Sequence, residues 1–245
     1  MLDDRVKSFP LLNNALIASL CDRHFGVGAD GLILLRNTAE ADFEMIYFNA
    51  DGNPGSMCGN GGRCAISFAK NLGVNFLKSN FIAADGVHDF NVEEKNVRRK
   101  MADVHSVKTF PDHFEINNGS PHFVKVVQNL TATDVVGEGK LIRFGENFFE
   151  EGINVNFISG AQGIWKMRTY ERGVEDETLS CGTGTVASAI AISEIMKFKT
   201  GKNSVTLIAP GGTLDVKFEK NSDGSYSDIW LIGPAEKSFA GEIEL

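Results

Sequence analysis

At 245 residues, with 42% hydrophobic and 23% charged residues, the chain carries enough apolar material for one large core or two modest ones. A formal net charge of -8, with Arg98-Arg99-Lys100 as the longest basic run, excludes the basic stripe of a nucleic-acid binder, and no apolar run approaches the roughly 18 residues of a membrane span. Met1-Leu2-Asp3-Asp4-Arg5 has no signal-peptide pattern, and four cysteines at 21, 58, 64 and 181 are too few for a secreted disulfide framework, so a cytoplasmic protein with reduced thiols is expected.

Taken in chain order, residues 15–24 place Leu16, Ile17, Leu20 and Cys21 at helical spacing before Gly26, and 31–35 and 43–48 read as strands. The turn Ser56-Met57-Cys58-Gly59-Asn60-Gly61-Gly62-Arg63-Cys64 follows, then a helix over 65–72 ended by Gly73, then a hairpin at Asp85-Gly86. Strands are predicted at 122–127, 139–144 and 164–170. A second turn, Leu179-Ser180-Cys181-Gly182-Thr183-Gly184-Thr185, leads into a helix over 186–192 that is apolar almost all round and therefore belongs inside a core. Pro210-Gly211-Gly212 and Asp223-Gly224 mark two more hairpins.

The two Cys-Gly-x-Gly turns lie half a chain apart, and each is followed by a buried helix and hairpins, which reads as an internal duplication. Two similar domains facing each other would set the thiols of Cys58 and Cys181 on opposite walls of one cleft. At the start of a helix the first backbone N–H groups lack intrahelical acceptors and carry partial positive charge, so each turn is an anion site with a thiol beside it. Thiol pKa values fall from about 8.5 to roughly 3.5–7.5 at such positions. A thiolate on one face of a carbon can remove its proton while a thiol on the other face returns one. Inversion at a carbon next to a carboxylate needs that arrangement twice.

Several motifs carry a resemblance to a known family. They are Phe48-Asn49-Ala50-Asp51-Gly52, Met57 to Cys64, Tyr170-Glu171-Arg172-Gly173 and Glu177 to Gly184, with Ser120-Pro121-His122, Asn154-Val155-Asn156-Phe157 and Gly233-Pro234-Ala235 in support. In this order they resemble diaminopimelate epimerase over nearly the whole chain. The resemblance implies an α/β (α+β) fold of two pseudo-symmetric domains, each a curled antiparallel-rich sheet around a central helix, with the active site in the cleft between them. The domains would be 1–105, with 233–245 returning to it, and 106–232. It implies a cofactor-independent reaction, without pyridoxal phosphate or metal, that interconverts LL- and meso-diaminopimelate for lysine and peptidoglycan precursor synthesis.

By the same resemblance, Cys58 and Cys181 are the acid/base pair, and Gly59, Asn60, Gly182 and Thr183 hold the reacting carboxylate. Asn49, Asn154, Glu171 and Arg172 grip the remaining amino and carboxylate groups; His122 is a candidate for the cleft, with a structural role as its alternative. Arg172 suits a bidentate carboxylate pair and Glu171 an ammonium. The partner implied is this small molecule, with no nucleic acid or membrane, and the assembly a homodimer. Relative to the family pattern the chain begins after a Gly-x-Gly-Asn-Asp-Phe loop, which leads us to expect an unpaired strand edge. Ser120 stands where members commonly carry Asn.

Other readings compete. A proline racemase-like enzyme shares the two-thiol logic, and a non-catalytic small-anion binder could use the same two helix ends. Gly182-x-Gly184-x-x-Ala187 fits a dinucleotide fingerprint but lacks the second strand with an acidic end. No C-x2-C pair supports zinc. Cys21 and Cys64 read as core residues, and Arg63 as a charge pinning its own loop.

Overall fold

A computed structural model describes residues 1–55, 59–93, 96–161 and 163–243 of the chain. The described residues form fifteen strands and four α-helices, and the chain divides into two compact units, 1–99 with 234–245, and 100–233.

The first unit opens with β1 (Leu2–Asp3), which pairs in parallel with Leu34 and Leu35. Helix α1 (Asn14–Cys21) is capped by Asn13, whose side chain accepts from the Leu16 N–H. It stops three residues before the predicted end because Asp22 turns extended, its carboxylate accepting the His24 and Phe25 N–H groups. Gly26 then passes so close beneath α1 that a Cβ would lie 2.0 Å from the Ser19 carbonyl oxygen. Strands β2 (Gly31–Arg36), β3 (Phe43–Asn49), β4 (Asn80–Ala83), β5 (Gly86–Glu93) and β6 (Asn96–Lys100) continue the sheet in sequence order. Helix α2 (Gly59–Asn71) lies between β3 and β4 in the chain. Its Ala65, Ile66 and Ala69 pack with Phe43, Phe81 and Phe90 in one core, and Ile17 and Leu20 of α1 pack with Leu32, Leu34 and Phe48 in another.

The second unit contains β7 (Val107–Thr109), β8 (His113–Asn117), β9 (Pro121–Val126), α3 (Val135–Arg143), β10 (Asn154–Ala161), β11 (Ile164–Glu171), β12 (Asp176–Thr178), α4 (Gly182–Ile195), β13 (Gly201–Ala209), β14 (Gly212–Lys220) and β15 (Tyr226–Pro234). Its sheet runs β15-β14-β13-β11-β10-β9-β8-β7, with β12 paired to β11. Helix α4 is buried on nearly every side, and Val186, Ala187 and Ile190 sit in the same core as Val124, Ile158, Met167, Leu207 and Leu231. The other face of β9, β10 and β11 presents Phe123, Val155, Phe157 and Tyr170 to Val135 in a separate core beside α3. Strand alternation divides the two cores cleanly: odd positions of β10 face one way and even positions the other.

The predicted strand over 139–144 is instead the second half of helix α3. Asp134 caps it by accepting from the Gly137 N–H. Gly139 sits against the Tyr170 ring, where a Cβ would be 2.5 Å from the Tyr170 Cβ. Two glycines chosen for close packing lowered the apparent helix preference, and tertiary contact overrode it.

Candidate active site

In the second unit the polar residues of interest sit at one end of the sheet face that α4 covers. Along β9, β10 and β11, Val124, Ile158 and Met167 belong to the α4 core. Alternation puts His122, Asn156 and Thr169 on the same face, at the end where α4 begins. The polar cluster is thus a cap on an otherwise apolar surface.

Cys181 is the N-cap of α4. It has extended backbone, and its Sγ accepts from the Gly184 N–H at 3.4 Å and lies 3.5 Å from Thr183 Oγ1. The Cys181 carbonyl accepts from the backbone and hydroxyl of Thr185. Gly182 and Thr183 are the first two helical residues, so helix geometry gives their N–H groups no carbonyl within the helix. Gly184 must be glycine, because a Cβ there would stand 2.4 Å from Asn156 Oδ1 and 3.2 Å from Cys181 Sγ. The sequence placed the start of this helix after the glycines. The helix begins inside them.

Glu171 ends β11 and accepts from Thr178 Oγ1 at 2.9 Å. Burial holds its carboxyl above the ordinary glutamate range, only partly opposed by that hydrogen bond. Arg172 donates from Nη1 to the Glu151 carbonyl at 2.7 Å. Its aliphatic stem passes Gly152, which has φ +68 and no room for a Cβ beside Arg143 and Arg172. Asn154 braces this corner: Oδ1 accepts from the Arg172 N–H at 3.0 Å, and Nδ2 donates to Ser120 Oγ at 2.9 Å and to the Pro121 carbonyl at 3.1 Å. Ser120 therefore meets a partner despite its short reach.

His122 is 0% exposed and its pKa is pushed down to about 3, chiefly by burial and further by the Arg172 charge. It stands in the wall of a groove of about 1030 Å³ within this unit, with Asn117, Pro121, Glu151 and Ile153 among its neighbours.

In the first unit, Asn49 ends β3 at a tight turn in which its N–H donates to the Asn53 carbonyl and its own carbonyl accepts from Gly52. Its Oδ1 lies over Gly55, 2.8 Å from where a Cβ would be. Gly59 and Asn60 open α2, and Asn60 Oδ1 accepts from Arg63 Nη2 at 2.9 Å. Arg63, buried in the same helix, thus ties to its own first turn. Cys58 lies outside the described residues, with Ser56 and Met57.

Sequence reasoning missed the supporting residues. Asn156 links the His122 ring, the Phe123 carbonyl and the Thr169 hydroxyl, and Asn118 Nδ2 donates to the Thr183 carbonyl at 2.8 Å. The alternation in Asn154-Val155-Asn156-Phe157 held the signal for Asn156: two amides one period apart on a strand whose intervening residues are apolar.

A family model described as Diaminopimelate epimerase matches residues 1–107 and 114–237. Among curated relatives, a Diaminopimelate epimerase of Flavobacterium psychrophilum is 46% identical over 241 residues, covering 98% of this chain and 93% of the relative. One of Chlorobaculum tepidum is 40% identical over 259 residues, covering 100% and 96%. Among solved structures, a phenazine biosynthesis protein of the PhzF family from Bacillus anthracis superposes with a TM-score of 0.72 at 13% identity, covering 95% of this chain and 88% of that one. A probable proline racemase from Agrobacterium radiobacter K84 gives 0.62 at 16% identity, covering 90% and 78%. These two likenesses are of fold.

Proposed function

This chain belongs to the diaminopimelate epimerase family, and from that premise we propose how its residues perform the reaction. The enzyme is an isomerase that epimerises diaminopimelate, a step toward lysine. A proline racemase-like activity is not favoured over it, since the relatives sharing that fold stand at 15–16% identity.

In our reading Cys58 and Cys181 are the acid/base pair. One thiolate takes the proton from the α-carbon, and the electron pair left behind is shared with the adjoining carboxylate. The thiol on the opposite face then delivers its proton to that carbon. The configuration inverts, and the two sulfurs have exchanged protonation states. The observation that carries this for the described residues is Cys181 as N-cap of α4, with its sulfur accepting from the Gly184 N–H. Donors aimed at a sulfur favour its anionic form.

Gly182 and Thr183, with Gly59 and Asn60, present helix-start donors to the reacting carboxylate as charge builds there, an effect typically worth ~3–4 kcal/mol for one donor. Glu171 takes an ammonium group and Arg172 a carboxylate, with Asn49 and Asn154 supporting. An ammonium beside Glu171 compensates a carboxylate whose burial otherwise disfavours its charge. The chemistry asks for no cofactor. We place the enzyme in the cytoplasm as a homodimer, which light scattering on the purified protein tests.

The deciding experiment is incubation with LL-diaminopimelate in heavy water. Epimerisation by this route incorporates solvent deuterium at the inverted α-carbon. Absence of exchange with diaminopimelate, or preferential exchange with proline under the same conditions, overturns the reading.

A further inference from the structure

Asn156 is fully buried two residues beyond Asn154 on β10, and its amide orientation follows from its partners. The Phe123 carbonyl can only accept, so the atom 3.1 Å from it is the amide nitrogen. Thr169 Oγ1, 2.9 Å from the amide oxygen, donates to it. The second amide hydrogen is then directed at His122 Nδ1, 3.1 Å away. A nitrogen that accepts must offer a lone pair, so the neutral imidazole carries its proton on Nε2. That Nε2 has no hydrogen-bond partner among the described residues, although the ring is wholly buried. Buried donors are almost always satisfied, so an orphaned one marks a place for an acceptor outside the protein, whether ordered water, an ion or a ligand.

We propose that Asn156 is a positioning residue for epimerisation: it locks His122 in the Nε2–H tautomer, so that the ring donates a hydrogen bond to a substrate carboxylate oxygen and does not act as a base. The proposal rests on the reading above that this chain epimerises diaminopimelate. His122 pairs in register with Asn154, and the Arg172 cation acts on the ring. That single guanidinium suits an anionic acceptor and opposes an imidazolium. The glycine turn belongs to the same device, because the missing side chain of Gly184 leaves the space that Asn156 Oδ1 occupies. Asn156 thereby joins the helix that carries Cys181 to the ring of His122.

The wild-type protein itself supplies the first test. With [15N]histidine labelling, long-range proton–nitrogen spectra at neutral pH resolve the ring tautomers of the five histidines, and His122→Gln assigns the signal of interest. A protonated Nε2 and a pyridine-type Nδ1 are expected, and the Nε2–H signal should shift on saturation with diaminopimelate. The Nδ1–H tautomer, a rapidly averaged ring, or no shift on saturation overturns the proposal.

Kinetics give a second test. His122→Gln retains an N–H donor but no basic nitrogen, and should keep kcat/KM within about tenfold, whereas His122→Leu should lose about 10²–10³-fold. Equal losses in the two variants overturn the donor role. Asn156→Asp, which accepts from Nδ1 and so draws the proton there, should lower kcat by about 10²-fold with the tautomer change visible in the same spectra. Wild-type protein that shows the Nε2–H tautomer yet turns over no diaminopimelate would sink the functional reading and leave the tautomer lock standing.

Discussion

A sulfur at a helix N-cap is a poor structural choice, since oxygen-bearing caps are preferred there. At 3.4 Å, the Gly184 N–H to Cys181 Sγ contact is long beside an oxygen cap such as Asp134, which accepts from Gly137 at 2.9 Å. Cys181→Ser should therefore leave the melting temperature unchanged or slightly raised while deuterium exchange at the substrate α-carbon falls by about 10²–10⁴-fold. Loss of stability and activity together would point to a structural thiol. Glu171 offers a pH-dependent counterpart. Its folded-state pKa is raised by burial, so the folded protein holds that proton more tightly than the unfolded chain. The resulting stability is fully present below the unfolded glutamate pKa and is lost as pH rises through the folded value. Glu171→Gln removes that loss and keeps a side-chain acceptor for Thr178. Thermal melts should show the variant more stable than wild type at neutral pH, with the difference vanishing in acid, while affinity for diaminopimelate drops.

Among the elements, those with one dominant signal were legible in the sequence. Strands β2, β3, β9 and β11 lie within a residue or two of their predicted limits, and the hairpins at Asp85-Gly86, Pro210-Gly211 and Asp223-Gly224 join β4 to β5, β13 to β14 and β14 to β15. Errors gathered where glycine does a packing job. Helices α2 and α4 start at Gly59 and Gly182, several residues before the predicted 65 and 186, because their first turns are built from the glycines that sequence reading assigned to loops. In α3, Gly139 lies on the Tyr170 ring and made a helix look like a strand. Gly139→Ala improves intrinsic helix propensity by about 1 kcal/mol, yet its Cβ would meet Tyr170 at 2.5 Å. Overpacking should win, lowering stability by about 1–3 kcal/mol in chemical denaturation. A stabilised variant would show that the Tyr170 ring yields.

At the scale of the molecule, each unit has its own apolar interior. In the first, Phe43, Phe81 and Phe90 pack ring on ring, with Phe43 and Phe81 stacked at 5.2 Å between centroids. In the second, α4 is enclosed by strands. Phe81→Ala should cost about 3–5 kcal/mol. Hydrogen exchange should then accelerate in β2 to β5 and α2, while the amides of α4, β10 and β13 keep their protection. Uniform acceleration would mean that the chain opens only as one cooperative body.

Legible in the order of residues were the motifs on which the proposed chemistry rests, two Cys-Gly-x-Gly turns and Glu171-Arg172, and an apolar helix of a length and composition suited to an interior. Those properties are local, set by residue type and spacing; individual strands and helices showed in the same period-2 and helical patterns, while the α/β class was implied by the family resemblance. Tertiary structure decided what depends on neighbours remote in the chain. Asn156 found the His122 ring across β9 and β10, Asn154 became a brace between Ser120 and Arg172, and Gly184 proved necessary because of a side chain 28 positions earlier. A hydrogen bond's partner, unlike a residue's own propensity, exists only once strand register and helix packing have brought both groups together.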